Sequence, residues 1–444
     1  MRSTMQYVAA SPWGRLPAKL AWAAVVLLAT RVVDAGGMKE INPPHAPKST
    51  RTLALVGGRL IDGRGGSPVS DSAIVVRGTK ILAAGAHGKV KIPSDARTID
   101  ATGLSVLPGL IDSHFHSAND VKTPVEYELR HGVTSFRDPG HPFRFYRAVM
   151  QTDLTMPRVF LCGAHLDAHP PAWPDQAVVV KDAEHARRTV HAHVDRGASA
   201  VKVYFRLPLD HIKAACDAAS ERGVLVTAHL ELIDADDAIR AGVRGIEHVT
   251  SFGTALADPN EAKRFKAAVS DDSAARRPWR YRLWTTLNLD ASPRVEPLVE
   301  TIVKHGVFVS PTLTTFERRA GQQGGAYAEG VAFANMLKFI GQCHRGGAKV
   351  VVGSHTSGPF AEKGRAYQRE LELLVEAGLT PLEAIAAATS VNAQFLGMED
   401  RLGTLEPGKT ADLILVKGDP TGDIKAMRHV RHVMLNGVWV GEAP

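Results

Sequence analysis

The chain has 444 residues, 44% apolar and 22% charged, the composition of a folded protein with room for one large domain and a smaller one. Its net charge of +7 is mild for this length. No basic cluster interleaved with aromatic residues appears, which argues against nucleic acid as a partner.

At the N-terminus, Arg15 and Lys19 precede the apolar run 20–30, and Val33-Asp34-Ala35 offers small residues for a signal peptidase. Residues 1–35 are therefore expected to be a signal peptide that exports the chain to the periplasm or the medium. The run is short for a bilayer, so no stable membrane span is expected after cleavage. Residues 36–50, with Pro43, Pro44 and Pro47, read as a flexible lead-in. Cys162, Cys216 and Cys343 show no C-x-x-C spacing and read as small buried apolar residues.

Residues 51–103 contain short strand patterns at 52–56, 73–77, 80–85 and 97–100, punctuated by Gly57-Gly58, Gly63 and Gly85. Residues 401–444 resume this style, with strand patterns at 411–417 and 430–435 and a turn at Asn436-Gly437. Two separated β pieces suggest one small β-sandwich assembled from both ends of the chain. Between them, over 104–400, β-rich runs alternate with helical patterns. The runs are 105–116, 132–137, 158–162, 200–204, 224–228, 245–248, 307–310 and 350–353, with helical stretches at 210–222, 235–241 and 365–377. Eight such runs argue for an α/β fold, a parallel (β/α)8 TIM barrel, with a doubly wound sheet as the alternative.

In such a barrel the chemistry collects at the C-terminal ends of the strands. The first run ends Asp112-Ser113-His114-Phe115-His116, and residues two apart on a strand share a face, so both imidazoles can aim at one metal ion. The fourth run places Lys202 among apolar residues. The fifth, sixth and eighth end at His229, His248 and His355. A lysine in an apolar strand either pairs with an acid or loses its charge. Reaction with CO2 would convert Lys202 into a carbamate able to bridge two cations; the alternative is a lysine that snorkels to the barrel mouth or holds an anion.

These motifs together resemble the amidohydrolase superfamily, in its imidazolonepropionase-like and prolidase-like branch. The resemblance covers about residues 52–441. It is carried by Gly57-Gly58-Arg59-Leu60-Ile61-Asp62-Gly63, Pro108-Gly109-Leu110-Ile111-Asp112-Ser113-His114-Phe115-His116 and Val201-Lys202-Val203-Tyr204. His229, His248, Ala377-Gly378-Leu379-Thr380-Pro381-Leu382-Glu383-Ala384 and Gly403-Thr404-Leu405-Glu406-Pro407-Gly408-Lys409 complete it. The resemblance implies one or two divalent ions, zinc by default. His114 and His116 would bind the more buried ion, His229 and His248 the more exposed one, and carbamylated Lys202 would bridge them. A shared hydroxide would be the nucleophile.

One position departs from the pattern. Where the family has aspartate at the end of strand 8, this chain has Gly353-Ser354-His355-Thr356. Three readings stand open: His355 serves as ligand and as general acid and base, metal is held but chemistry is slow, or little metal binds. Tyr204, two residues beyond Lys202, and His165 and His169, in a Pro-rich loop after strand 3, are candidates to touch substrate. Arg206 is a weak candidate for an anion. Residues 251–300, with Arg276-Arg277-Pro278-Trp279-Arg280-Tyr281-Arg282, read as an insertion or lid whose charge run is solvated by default. The expected activity is hydrolysis of an amide or related C–N bond in a small molecule such as a dipeptide or N-acyl amino acid. The rivals are a catalytically impaired metal- or ligand-binding protein and a hydrolase of another bond, such as a lactone. A homo-oligomer is compatible with the sequence.

Overall fold

Runs such as Ala200–Val203 and Val133–Asp138 are buried at every position, so they lack the in–out alternation of a half-exposed strand and form parallel strands covered on both sides. The computed structural model describes residues 40–48, 51–117, 120–270, 272–323, 325–442 and 444, all within a compact unit that begins at Gly37. Eight strands ring its centre: Leu110–Asp112, Val133–Asp138, Arg158–Leu161, Ala200–Val203, Leu225–Ala228, Gly245–Glu247, Phe308–Ser310 and Lys349–Val350. The first three pair in parallel, as do the last five. Two backbone hydrogen bonds close the ring, Ser199 N–H to Leu161 O at 2.7 Å and Ser113 N–H to Val352 O at 2.9 Å. The barrel expected from the alternation is therefore present.

Helices cover the outside and supply the crossovers that parallel strands require. Val295–Lys304 shows why they dock: Val295, Leu298, Val299 and Ile302 recur at i, i+3, i+4 and i+7, and all four are buried. The helices expected at 210–222, 235–241 and 365–377 are Leu209–Glu221, Ala235–Arg240 and Ala366–Ala377. At Pro381–Ala386, Thr380 and Glu383 form a reciprocal capping box with Pro381 at the first helical position.

The run 105–116, expected as one barrel strand, is split. Leu104–Pro108 pairs antiparallel with Leu413–Lys417 in the terminal sheet, and only Leu110–Asp112 pairs with the barrel strand Val133–Asp138. At the crossing the chain approaches its neighbour closely: a β-carbon on Gly109 would sit 2.3 Å from Thr134 Oγ1. Gly109→Ala is expected to destabilise the protein by roughly 1–3 kcal/mol through overpacking, read as a lower denaturation midpoint.

The terminal segments form an eight-stranded sheet around a core that includes Leu55, Ile74, Ile81, Val106, Leu413 and Met434, which fits the expected small β-sandwich. Sequence reading missed its last strand, Val438–Val440. That strand pairs with Val430–Leu435 through a tight turn in which Asn436 and Gly437 both take positive φ. The proline-containing lead-in is pinned along 40–45 rather than loose. Ile41 N–H donates to Val159 O, Asn42 exchanges hydrogen bonds with Pro157 and Val159, and Asn436 Nδ2 donates to Pro44 and His45 carbonyls. The three cysteines are buried and free. The segment expected to be a signal peptide, 1–35, lies outside the described residues. Among the described residues no helix is long and apolar enough to cross a membrane.

Candidate metal centre

The barrel strands end at one face, and there the backbone bends sharply. His248, Thr312 and His355, just past the sixth, seventh and eighth strands, take positive φ of 67°, 48° and 54°, as does Thr356 at 76°. Each such residue costs about 1–3 kcal/mol and persists only where the surroundings enforce it. The enforcing contacts are visible. His248 N–H donates to Ser310 O and His355 N–H to His114 O, each at 2.7 Å. Thr356 Oγ1 accepts from His116 N–H and donates to His116 O, clamping the first strand end to the eighth. A β-carbon at Gly353 would meet that of His114 at 2.7 Å, so only glycine permits this approach.

These constraints bring imidazoles together. A nitrogen from each of His114, His248 and His355 lies within 4.8 Å of the others. His114 Nε2 is also 3.1 Å from His116 Nε2. Burial holds His114, His248 and His355 well below the usual histidine range, lowers His116, and pushes His229 to about 3. All are therefore neutral at physiological pH, the form that binds a cation.

Buried carboxylates set the tautomers. His114 Nδ1 lies 2.6 Å from Glu247 Oε2, so its proton is held there and the Nε2 lone pair faces its neighbours. Glu247 also pairs with Arg137, and both side chains are fully buried. Burial would raise the Glu247 carboxyl, but Arg137 and Lys202 outweigh it and keep it ionised. Asp138 sits 3.5 Å from His116 Nδ1 and accepts from Tyr146, Ser117 N and His141 Nδ1. Burial pushes that carboxyl up, yet His116 and His141 hold it well below the usual range. Thr312 Oγ1 lies 2.7 Å from His248 Nδ1, which leaves Nε2 for the centre. His116 Nδ1 and His229 Nδ1 are buried without a hydrogen-bond partner among the described residues. Neutral imidazoles whose Nε2 atoms turn toward one another, as those of His114 and His116 do, are the donor set a divalent cation takes, and they fit the metal that the resemblance implies.

Lys202 and His229 adjoin this group. Both line the same cavity of about 610 Å³ as His116, His248 and His355. Burial lowers the Lys202 ammonium to about 8. His229 packs between Tyr204 and His248, with ring centroids 4.6 Å from each. Its Nε2 is held by Glu231 at 3.4 Å and Arg280 at 2.9 Å.

The residues expected to meet substrate divide. Tyr204 and His165 line the cavity with ring centroids 4.5 Å apart. His169 does not. It is exposed beyond the wall, where the chain turns outward and Arg206 holds the Pro170 carbonyl. Trp173, a little further on, reaches back and donates from Nε1 to Tyr204 OH at 3.1 Å. Arg206 is not an anion site either, since its guanidinium is committed to the carbonyls of Pro170 and Ser270 and to Ser273 Oγ. The arginine run after strand 6 is not merely solvated: in the helix Arg276–Thr285, Arg276, Arg277 and Arg280 face the cavity. Sequence reading also missed Asp138, His141, Glu247 and Glu231. Asp138 was within reach of the strand-end rule, but the second run was closed at Arg137, one residue early. Glu247 was hidden by standing next to the histidine that drew attention.

The sequence profile of the amidohydrolase family matches residues 105–440. A 5-methylthioadenosine/S-adenosylhomocysteine deaminase from Symbiobacterium thermophilum is 24% identical over 427 residues, covering 84% of this chain and 88% of that protein. Among solved structures, a proposed prolidase from Bifidobacterium longum superposes with a TM-score of 0.67 at 25% identity, covering 89% of this chain and 95% of that one. An ochratoxinase from A. niger gives a TM-score of 0.66 at 22% identity, covering 88% and 96%. With a profile match that spans most of the chain and ends inside the terminal sheet, the chain belongs to the amidohydrolase family.

Proposed function

We propose that the chain is a metal-dependent hydrolase of an amide or related C–N bond in a small molecule, a dipeptide or N-acyl amino acid being the leading class. The observation that carries this reading is the convergence of His114, His248 and His355 nitrogens within 4.8 Å, with His248 and His355 on the wall of the cavity and His114 buried behind them. His114, His116, His229 and His248 would hold one or two divalent ions, zinc by default, with a CO2-derived carbamate on Lys202 between them. An amine pushed down to about 8 has the neutral fraction that carbamate formation needs. A bound ion of this kind lowers the pKa of a water to ~7 and so supplies hydroxide near neutral pH.

The chain's own residues do the remainder. Glu247 holds the His114 proton on Nδ1 and Asp138 faces Nδ1 of His116. Tyr204 and His165 offer polar atoms to orient the substrate. His355, neutral and beside His114 and His116, would accept and return a proton where the family has aspartate. The relatives named as a deaminase and a proposed prolidase support the C–N bond class. Export through residues 1–35 belongs to the same reading and is checked by N-terminal sequencing of secreted protein.

His355→Ala is expected to lower kcat on a panel of N-acyl amino acids by about 10²–10⁴-fold. A second reading, an impaired enzyme, is favoured by the exchange of a carboxylate for imidazole at this one position. It prevails if the wild type is idle on the panel and His355→Asp turns substrate over. Metal content of protein purified without chelator bears on both readings: one to two equivalents per chain support the site, and none after incubation with zinc and bicarbonate sinks it.

A further inference from the structure

The helix Arg276–Thr285 opens against elementary electrostatics. Arg276, Arg277 and Arg280 crowd its beginning, no acid stands in its first turn, and the N-terminal end of a helix is already positive. Such a conflict between local preference and observed placement is expected where function demands it. All three arginines border the cavity, and Arg318 joins them in its lining. Their partners are unevenly distributed. Arg276 and Arg280 share a single carboxylate, Glu231, and Arg276 also donates to Tyr204 OH at 3.4 Å. Arg277 is exposed and makes no ion pair among the described residues. Arg318 is half-buried, donates to its neighbour's carbonyl and lies over the Tyr281 ring, again with no carboxylate among the described residues.

The cavity thus presents two cationic stations above its neutral imidazoles. The inner one, Arg276 and Arg280 against Glu231, carries one charge in excess, next to Tyr204 and His229. The outer one comprises exposed Arg277 and half-buried Arg318, both on the cavity lining and without a carboxylate partner among the described residues. One substrate carboxylate satisfies the inner station and leaves the outer one empty.

We infer that the substrate carries two carboxylates on the half released as amine: an N-acyl or N-aminoacyl derivative of a dicarboxylic amino acid. The α-carboxylate meets the inner station and the side-chain carboxylate the outer one. This rests on the hydrolase reading above and narrows its substrate. In the reaction the amide C–N bond breaks and the oxygen of water ends in the new carboxylate. The two protons of that water pass to the nitrogen, which leaves as the ammonium of the free dicarboxylic amino acid.

The test is a matched substrate set on the metal-loaded full chain: N-acetyl-glutamate, N-acetyl-aspartate, N-acetyl-glutamine and N-acetyl-leucine. Calorimetric binding of the products L-glutamate and L-glutamine is measured in parallel. The acidic substrates are expected to exceed the glutamine derivative in kcat/KM by about tenfold or more, through KM, and L-glutamate to bind tighter than L-glutamine by a similar factor. In Arg277→Met with Arg318→Met both ratios are expected to collapse toward one. These side chains lie at the cavity mouth, and an unchanged unfolding temperature shows that the fold is kept. Equal handling of glutamate and glutamine compounds by the wild type, or binding of neither product, overturns the inference while leaving the hydrolase reading intact if N-acetyl-leucine is cleaved. Failure of the hydrolase reading shows differently, as absence of metal and of turnover across the whole set.

Discussion

His114→Ala is expected to remove the metal and to lower kcat/KM by roughly 10³-fold or more, since a bound ion contributes several kcal/mol of charge stabilisation and each 1.4 kcal/mol is a factor of ten. The size of the effect follows from where His114 stands. It is fully buried, its Nδ1 is fixed by Glu247, and its ring packs against those of His116, His248 and His355. Of the other imidazoles in the group, only His355 likewise packs against its three companions. Metal analysis and steady-state kinetics on the same preparation check it. Retention of full metal content by the variant would mean that the ion sits elsewhere in the cavity.

Glu247→Gln is expected to cost about 3–5 kcal/mol of stability, because it leaves the Arg137 guanidinium buried without its counter-charge. Both side chains are fully buried beneath the site, and Arg137 also donates to Ser113 O at 2.7 Å and Thr227 Oγ1 at 3.2 Å. The same substitution loosens the His114 tautomer and should weaken metal affinity by about 10–100-fold. Denaturant unfolding of metal-free protein isolates the first effect, and metal titration the second. Replacing both partners, Arg137→Met with Glu247→Met, is expected to cost less than Glu247→Gln alone, since no charge is left stranded. If the double variant is the less stable one, the pair stabilises the fold more than its desolvation costs.

The barrel was legible because its pattern is local. Buried runs such as Ala200–Val203, followed by helices with apolar residues three and four apart, announce parallel strands and crossovers without any long-range information. Spacing also announced the ligand candidates: His114 and His116 share a strand face, and Lys202, His229, His248 and His355 each stand near the end of a β-rich run. What spacing could not show is which of them meet. His114, His248 and His355 converge, while His229 is drawn aside by Glu231 and Arg280, residues that no local pattern ties to it. His169 and His165 are four apart, yet only His165 reaches the cavity: it stands in the short strand His165–Asp167, while His169 lies in the loop beyond it, where Arg206 holds the Pro170 carbonyl.

The sequence by itself thus determined the architecture and the family and named candidate metal ligands, since these depend on periodicity and on motifs within a few residues. Only the tertiary structure decided the partners: Glu247 behind His114, Asp138 behind His116, and arginines from a distant helix over the mouth. The physical reason is that charges and hydrogen bonds act over a few ångströms of space, and folding brings together groups separated by more than a hundred residues, as it does His114 and Glu247.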